Sequence, residues 1–251
     1  MIDTHCHLTD KAYKNDLEKV IERSRGANVT PLVIAVDSFE EANKALKLSK
    51  EHEDIFCMAG LHPHHASLWK DEDENRLKTY IDDFNVVAVG EIGLDYHYDR
   101  SPRDIQRSVF EKQLEIANDH DMPVVVHTRE AISDTWDIVQ RIKPKKLVVH
   151  CCTEKFEDVQ KFLDQGYLLS FTGMATFPQA RDIHETIKKT PIERIMIETD
   201  SPYLSPAPYR GKRNEPSYVI EVAKYIAELK EISLGEVDKI TTNNAISFFG
   251  I

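Results

Sequence analysis

The sequence predicts an α/β protein of the (β/α)8 TIM-barrel type with parallel strands, forming a single domain over residues 1–251. Three observations predict it. Eight short apolar, β-branched runs recur along the chain, longer stretches of helical period lie between them, and ionisable residues gather at the C-terminal ends of the runs. Apart from the first, the runs are largely continuous rather than alternating in polarity, as strands buried on both faces tend to be. An open doubly wound sheet is the competing arrangement. It is disfavoured because no Gly-rich turn follows the first run.

In chain order the runs are MIDTHCH (1–7), TPLVIAVD (30–37), IFCMAGLH (55–62), NVVAVGEIG (85–93), MPVVVH (122–127), KLVVHC (146–151), GYLLSF (166–171) and RIMIETD (194–200). Helices are expected over 39–52, where Phe39, Ala42 and Leu46 share a face, and over 105–120, 131–142 and 154–163. A further helix is expected over 218–229, with Val219, Val222, Ala223, Ile226 and Leu229 as its buried stripe. No internal repeat, low-complexity tract or linker interrupts the pattern.

Composition narrows the function classes. With 251 residues and 41% hydrophobic content, the chain can bury one large core, and a charged fraction of 30% does not suggest disorder. A net charge of -11 argues against wrapping duplex nucleic acid, because such a surface repels a phosphate backbone. The start MIDTHCH lacks a basic n-region and an apolar h-region, and no apolar run approaches the roughly 20 residues that span a bilayer. The expectation is a cytoplasmic, soluble, monomeric enzyme without a membrane partner. Cys6, Cys57, Cys151 and Cys152 form no C-x-x-C pair and are expected as reduced, packed thiols.

In a parallel barrel the chemistry sits at the C-terminal ends of the strands. Those ends carry His5 and His7, then Asp37, His62, Glu91, His127, His150 and Asp200. His5 and His7 are two apart on a strand, so both imidazoles face the same way and Cys6 faces the other. Joined by His127, His150, Glu91 and Asp200, they exceed what one tetrahedral ion needs, and two divalent ions bridged by a carboxylate use the surplus. Such a centre is a hydrolytic design. Four imidazoles suit zinc, manganese or similar ions, whereas magnesium prefers oxygen. A G-x-S-x-G elbow, a phosphate loop and an H-E-x-x-H helix are all missing, and Cys151 beside His150 is expected to pack rather than attack. His62 and His64, around Pro63, are candidate contacts to an anionic substrate group. Arg213 is another, within the basic stretch that follows SPYLSPAPY. Asp3 shares the face of His5 and is a candidate to orient a ligating imidazole, or else a strand-start cap.

Taken together, DTHCHL at the start, GLHPH at 60–64, GEIGLDY at 90–96, PVVVHTREA at 123–131, HC at 150–151, ETDSPYL and RGKRNEP resemble the TatD family of metal-dependent deoxyribonucleases. The resemblance covers nearly the whole chain. It implies one ion held by His5, His7, Glu91 and Asp200, and a second by Glu91, His127 and His150. It further implies that Asp200 positions or deprotonates the attacking water and that His62 and His64 contact a substrate phosphate. Where the family often continues its HC with an aromatic residue and a Ser-Gly or Thr-Gly pair, this chain reads HCCTEKFED, so the substrate contacts of that loop differ. The expected activity is hydrolysis of DNA phosphodiesters by a two-metal-activated water, as a 3′ to 5′ exonuclease on single-stranded ends. Glu91 and Asp200 are the catalytic pair. The alternative on the same site is an amidohydrolase or deacylase, for example one acting on aminoacyl-tRNA.

Overall fold

A computed structural model of the protein describes all residues, 1–251. Eight parallel strands are ordered as in the sequence: β1 (Asp3–Cys6), β2 (Leu32–Ile34), β3 (Ile55–Ala59), β4 (Val86–Asp95), β5 (Val124–Arg129), β6 (Leu147–Val149), β7 (Leu168–Phe171) and β8 (Ile195–Ile197). With helices in between, this is the topology of a (β/α)8 barrel. Every expected run holds a strand or most of one, with β4 and β5 each continuing two residues past the expected end. The helices are α1 (Leu17–Gly26), α2 (Phe39–Glu51), α3 (Glu72–Ile81), α4 (Arg103–Asp119), α5 (Ile132–Ile142), α6 (Phe156–Asp164), α7 (Arg181–Lys189), α8 (Val219–Lys230) and α9 (Leu234–Phe249). None is long and apolar enough to cross a membrane.

The chain divides into two compact units, Met1–Ile34 with Cys151–Ile251, and Ala35–His150. In the first, β1 pairs with β2 and β7 with β8. Helix α8 buries Val219, Val222, Ala223 and Ile226 as the stripe predicts, with Leu229 at its margin. Helix α9 was not anticipated, although Ser233 and Glu236 form a capping box at its start. Asn244 of α9 donates to the carbonyls of Ile192 and Ile195 at 2.9 and 2.8 Å, holding the entry to β8.

In the second unit β3, β4, β5 and β6 pair in succession. Helix α2 starts from Ser38, whose hydroxyl accepts from the Glu41 amide, and buries Phe39, Ala42, Ala45 and Leu48, leaving the expected Leu46 only half-buried. Two buried glutamines of α4 do unusual work for side chains inside a helix. Gln113 donates to the Leu61 carbonyl and accepts from its amide, and Gln106 does the same for Asp95. Backbone groups at the end of β4 and just beyond β3 are thereby paired. Gly93 has φ +144°, and a Cβ there would lie 1.9 Å from the His127 carbonyl oxygen, so only glycine permits β4 to run this close to β5 at His127.

Candidate metal centre

The first unit gathers His5, His7 and Asp200. His5 and His7 leave β1 on one face, and their Nε2 atoms lie 3.7 and 3.2 Å from the same oxygen, Oδ1 of Asp200. Asp200 is positioned by backbone: its amide donates to the His5 carbonyl and the His7 amide donates to Ser201, at 2.9 and 2.7 Å. Its φ of +53° lies in the left-handed region, which aspartate tolerates better than most residues. Cys6 faces the other way, buried, with its thiol toward the Val33 carbonyl; burial holds its pKa well above the ordinary thiol range.

Asp3 touches no imidazole and acts on backbone and Thr199 instead. Its carboxylate is completely buried and receives the Thr199 hydroxyl at 2.5 Å, the Thr199 amide at 2.9 Å and the His5 amide at 3.4 Å. It thus ties the backbone at the end of β8 to β1, and burial, outweighing these donors, pushes its pKa up to about 8. Asn214 adds a second tie, donating to the carbonyls of Thr199 and Tyr203 at 2.9 and 2.6 Å while its own carbonyl accepts from the Tyr13 hydroxyl.

The second unit gathers His62, Glu91, His127 and His150. One oxygen, Glu91 Oε1, has His127 Nδ1 at 2.7 Å, His150 Nε2 at 3.0 Å and His62 Nε2 at 3.5 Å. Asp95, two residues beyond the run expected from sequence, stands on the far side of His127, its Oδ2 3.0 Å from Nε2 and 3.2 Å from Nε2 of His64. Both ring nitrogens of His127 thus face carboxylates; with Nε2–H directed at Asp95, Nδ1 would be left to ligate, the arrangement of a metal-bound histidine braced by a carboxylate. Burial opposes charge on Asp95, but His127, His64 and the Tyr98 amide outweigh it and hold its pKa far below the carboxylate range. Burial likewise opposes charge on His127, where Asp95 and Glu91 win and raise the pKa. At His62 burial prevails and lowers it.

Two donor groups satisfy the spacing for a metal within single units: His5, His7 and Asp200, and His62, Glu91 and His127, with donor atoms in each within 4.8 Å of one another. Ligands about 2.1 Å from a tetrahedral ion are about 3.4 Å apart, and the observed separations bracket that value. Imidazole nitrogens and carboxylate oxygens are the donor chemistry such an ion takes, so the residues fit a divalent cation.

Other sequence candidates lie in different surroundings. Asp37 meets the second group through backbone, its carbonyl accepting from the His62 amide at 3.1 Å. Both terminal nitrogens of Arg213 are engaged, by Asp16 at 2.8 and 2.7 Å, Glu215 at 2.9 Å and the Ala12 carbonyl at 2.7 Å, so a phosphate would have to compete with two carboxylates. Tyr209 stacks on Tyr218 with centroids 3.8 Å apart, and Tyr203 lies edge-on to His7 at 6.0 Å. Sequence reasoning missed Asp95, Glu198 and Asn214. Glu198 is buried and accepts from the Cys151 amide and the Ser170 hydroxyl at 2.7 and 2.6 Å, fixing the residue after His150. The ETD motif contained that glutamate, but attention to strand ends passed over it.

Comparison with known proteins identifies the family. A family model described as TatD related DNase matches residues 2–250. A Bacillus subtilis protein described as the uncharacterized metal-dependent hydrolase YabD is 40% identical over 100% of this chain and 99% of its own length. The Pantoea ananatis 3'-5' ssDNA/RNA exonuclease TatD is 34% identical, with all of both chains covered. Among solved structures, the Escherichia coli TatD homologue YJJV superposes with a TM-score of 0.95 at 27% identity, covering 100% of this chain and 98% of that one.

Proposed function

Because the chain belongs to the TatD-related DNase family and is a metal-dependent hydrolase, we propose that it hydrolyses phosphodiester bonds of single-stranded DNA, working from the 3′ end. The observation that carries this reading is the convergence of imidazole nitrogens on one carboxylate oxygen in each of two donor groups. His5, His7 and Asp200 would hold one divalent ion, and Glu91, His127 and His150 a second. Similarity along the full length to a relative named as a single-strand exonuclease supports the substrate class and polarity.

Bound divalent ions supply positive charge that acidifies a water and stabilises the phosphoryl oxygens of an in-line displacement. The chain's own residues do the rest. Asp200 retains 16% side-chain exposure, enough to meet solvent, and accepts the proton of the attacking water. His62 accepts the His64 amide on Nδ1 at 3.2 Å, so as a neutral ring it carries its hydrogen on Nε2, from which it donates a hydrogen bond to a phosphate oxygen. Asp95 keeps His127 in its ligating tautomer. His64, its backbone carbonyl held by the Ser101 hydroxyl, adds a second imidazole beside the phosphate.

The test is to strip metal from the protein, add single divalent ions, and follow single-stranded DNA labelled at its 5′ end, with aminoacyl-tRNA as a parallel substrate. Stepwise shortening that Glu91→Ala abolishes is the expected result. Deacylation without shortening, or wild-type rates in Glu91→Ala, would overturn the reading.

A further inference from the structure

Beside the second donor group lies an exposed aromatic cluster that the hydrolytic chemistry does not use. Tyr98 follows β4 and keeps 52% of its surface exposed, an uncommon position for a large ring. Its ring meets His64 edge-on with centroids 5.5 Å apart and His97 at 4.8 Å. The guanidinium carbons of Arg129 and Arg100 lie 4.9 and 5.3 Å from its centroid. Neither arginine is paired with a carboxylate, in contrast to Arg103 and Arg107 close by, which are bound to Asp99 and Asp134. The two histidines of the cluster do have acidic partners, His97 at 2.7 Å from Glu130 and His64 at 3.2 Å from Asp95.

The ring is exposed but not loose. Asp95 Oδ1 accepts the Tyr98 amide at 2.8 Å, and Gln106 donates to the Ser101 carbonyl at 2.8 Å. The Ser101 hydroxyl accepts from the Ser67 amide and donates to the His64 carbonyl at 3.1 and 3.2 Å, joining this loop to the turn that carries His62 and His64. The same Asp95 therefore fixes His127 through one oxygen and Tyr98 through the other. A rigid aromatic face is set at a defined place relative to the metal-binding residues, at little entropic cost to whatever stacks on it.

We infer that Tyr98, Arg100 and Arg129 form a nucleotide subsite for a single strand, the ring stacking on a base and the guanidiniums taking a backbone phosphate of the residue next to the scissile bond. A planar base replaces a guanidinium on the ring, an exchange that gives up only a weak interaction at an exposed site, and the freed cation turns to the phosphate. A duplex cannot use this platform, because its bases are stacked on each other. The subsite rests on the nuclease reading for its place in catalysis, and it supplies a physical source for single-strand preference in an acidic protein.

The experiment uses a single-stranded oligonucleotide with 2-aminopurine near its 3′ end and phosphorothioate linkages that resist cleavage, titrated with metal-loaded protein at several salt concentrations. Tyr98→Ala is expected to weaken binding about tenfold and to relieve the quenching of 2-aminopurine, and Tyr98→Phe to restore both. Arg100→Gln with Arg129→Gln is expected to shallow the salt dependence by about 0.7 for each phosphate that is no longer neutralised, whereas Arg141→Gln, a charge removed on α5, leaves the slope unchanged. Wild-type affinity and quenching in Tyr98→Ala would overturn the subsite. If the wild-type protein cleaves an unprotected strand while Tyr98→Ala binds normally, the subsite fails and the nuclease reading stands; if Tyr98→Ala loses binding but the wild-type protein cleaves nothing, the subsite stands and the nuclease reading fails.

Discussion

The two donor groups reach similar chemistry by different routes. In the first, two of the three candidate ligands come from β1 and the residue after it, and a single alternation of side chains aims His5 and His7 at Asp200. In the second, four side chains come from β4, β5 and the segments after β3 and β6, all far apart in the chain. The first is held by backbone: the ladder from β1 to residues 200 and 201, reinforced by Asp3 and Asn214. The second is held by side chains, with Asp95 fixing His127 and Gln113 and Gln106 pinning the loops. A site built from neighbouring residues needs register; one built from distant residues needs a supporting shell.

Variants can break that comparison. The largest effect is expected from Glu91→Ala, which should abolish turnover and lower bound metal from two ions toward one while the unfolding temperature stays near that of the wild type. Elemental analysis and a thermal melt check both, and an undiminished metal content would end the division into two groups. Asp200→Asn should reduce kcat by about 10²- to 10⁴-fold, the range for losing a general base, with far less effect on KM. Asp95→Asn should weaken metal affinity or activity by about 10- to 100-fold. Retention of wild-type metal affinity would show that His127 needs no brace.

Stability changes come next. Asn214→Ala removes a buried amide and leaves two carbonyls without their donor, so chemical denaturation should show a loss of about 1–3 kcal/mol. This should fall on the backbone-held group and leave the ligands of the second unit intact. The smallest effect is expected from Arg213→Gln. Hydrogen bonding from Arg213 lowers the Asp16 pKa from 3.8 to about 2, so the pair stabilises the fold above the ordinary value and loses that contribution as pH falls through about 2. The stability difference between wild type and Arg213→Gln should therefore be full at neutral pH and shrink as pH falls from about 4 to about 2. A large rise in KM in this variant would instead place Arg213 at the substrate.

Much of this was legible in the sequence for a physical reason. A doubly buried strand is usually apolar throughout, which revealed most of the strands, while β1 (Asp-Thr-His-Cys) is polar and was legible from its paired histidines; candidate ligands at strand ends follow from the barrel's geometry. Helices α1, α3 and α7 were less legible because about half of the residues in each are charged, which leaves little apolar signal. Asp95 was missed because the glycine at 93 suggested that the strand ended there, whereas β4 continues past it. The cysteine between the two histidines was assigned correctly by alternation alone, while Cys151, with φ +46°, has left the extended conformation on which such alternation depends.

The sequence by itself determined the strand order, the shared face of His5 and His7, and the set of side chains available to hold metal, because these depend on local periodicity and covalent spacing. The tertiary structure decided that His127 stands between Glu91 and Asp95, that Arg213 is committed to Asp16 and Glu215, and that Arg100 and Arg129 flank an exposed ring. Those outcomes depend on hydrogen bonds and ring packing between residues whose approach the fold alone arranges. No spacing rule reaches that far, since a side chain's chemistry is set by the partner that occupies its polar atoms.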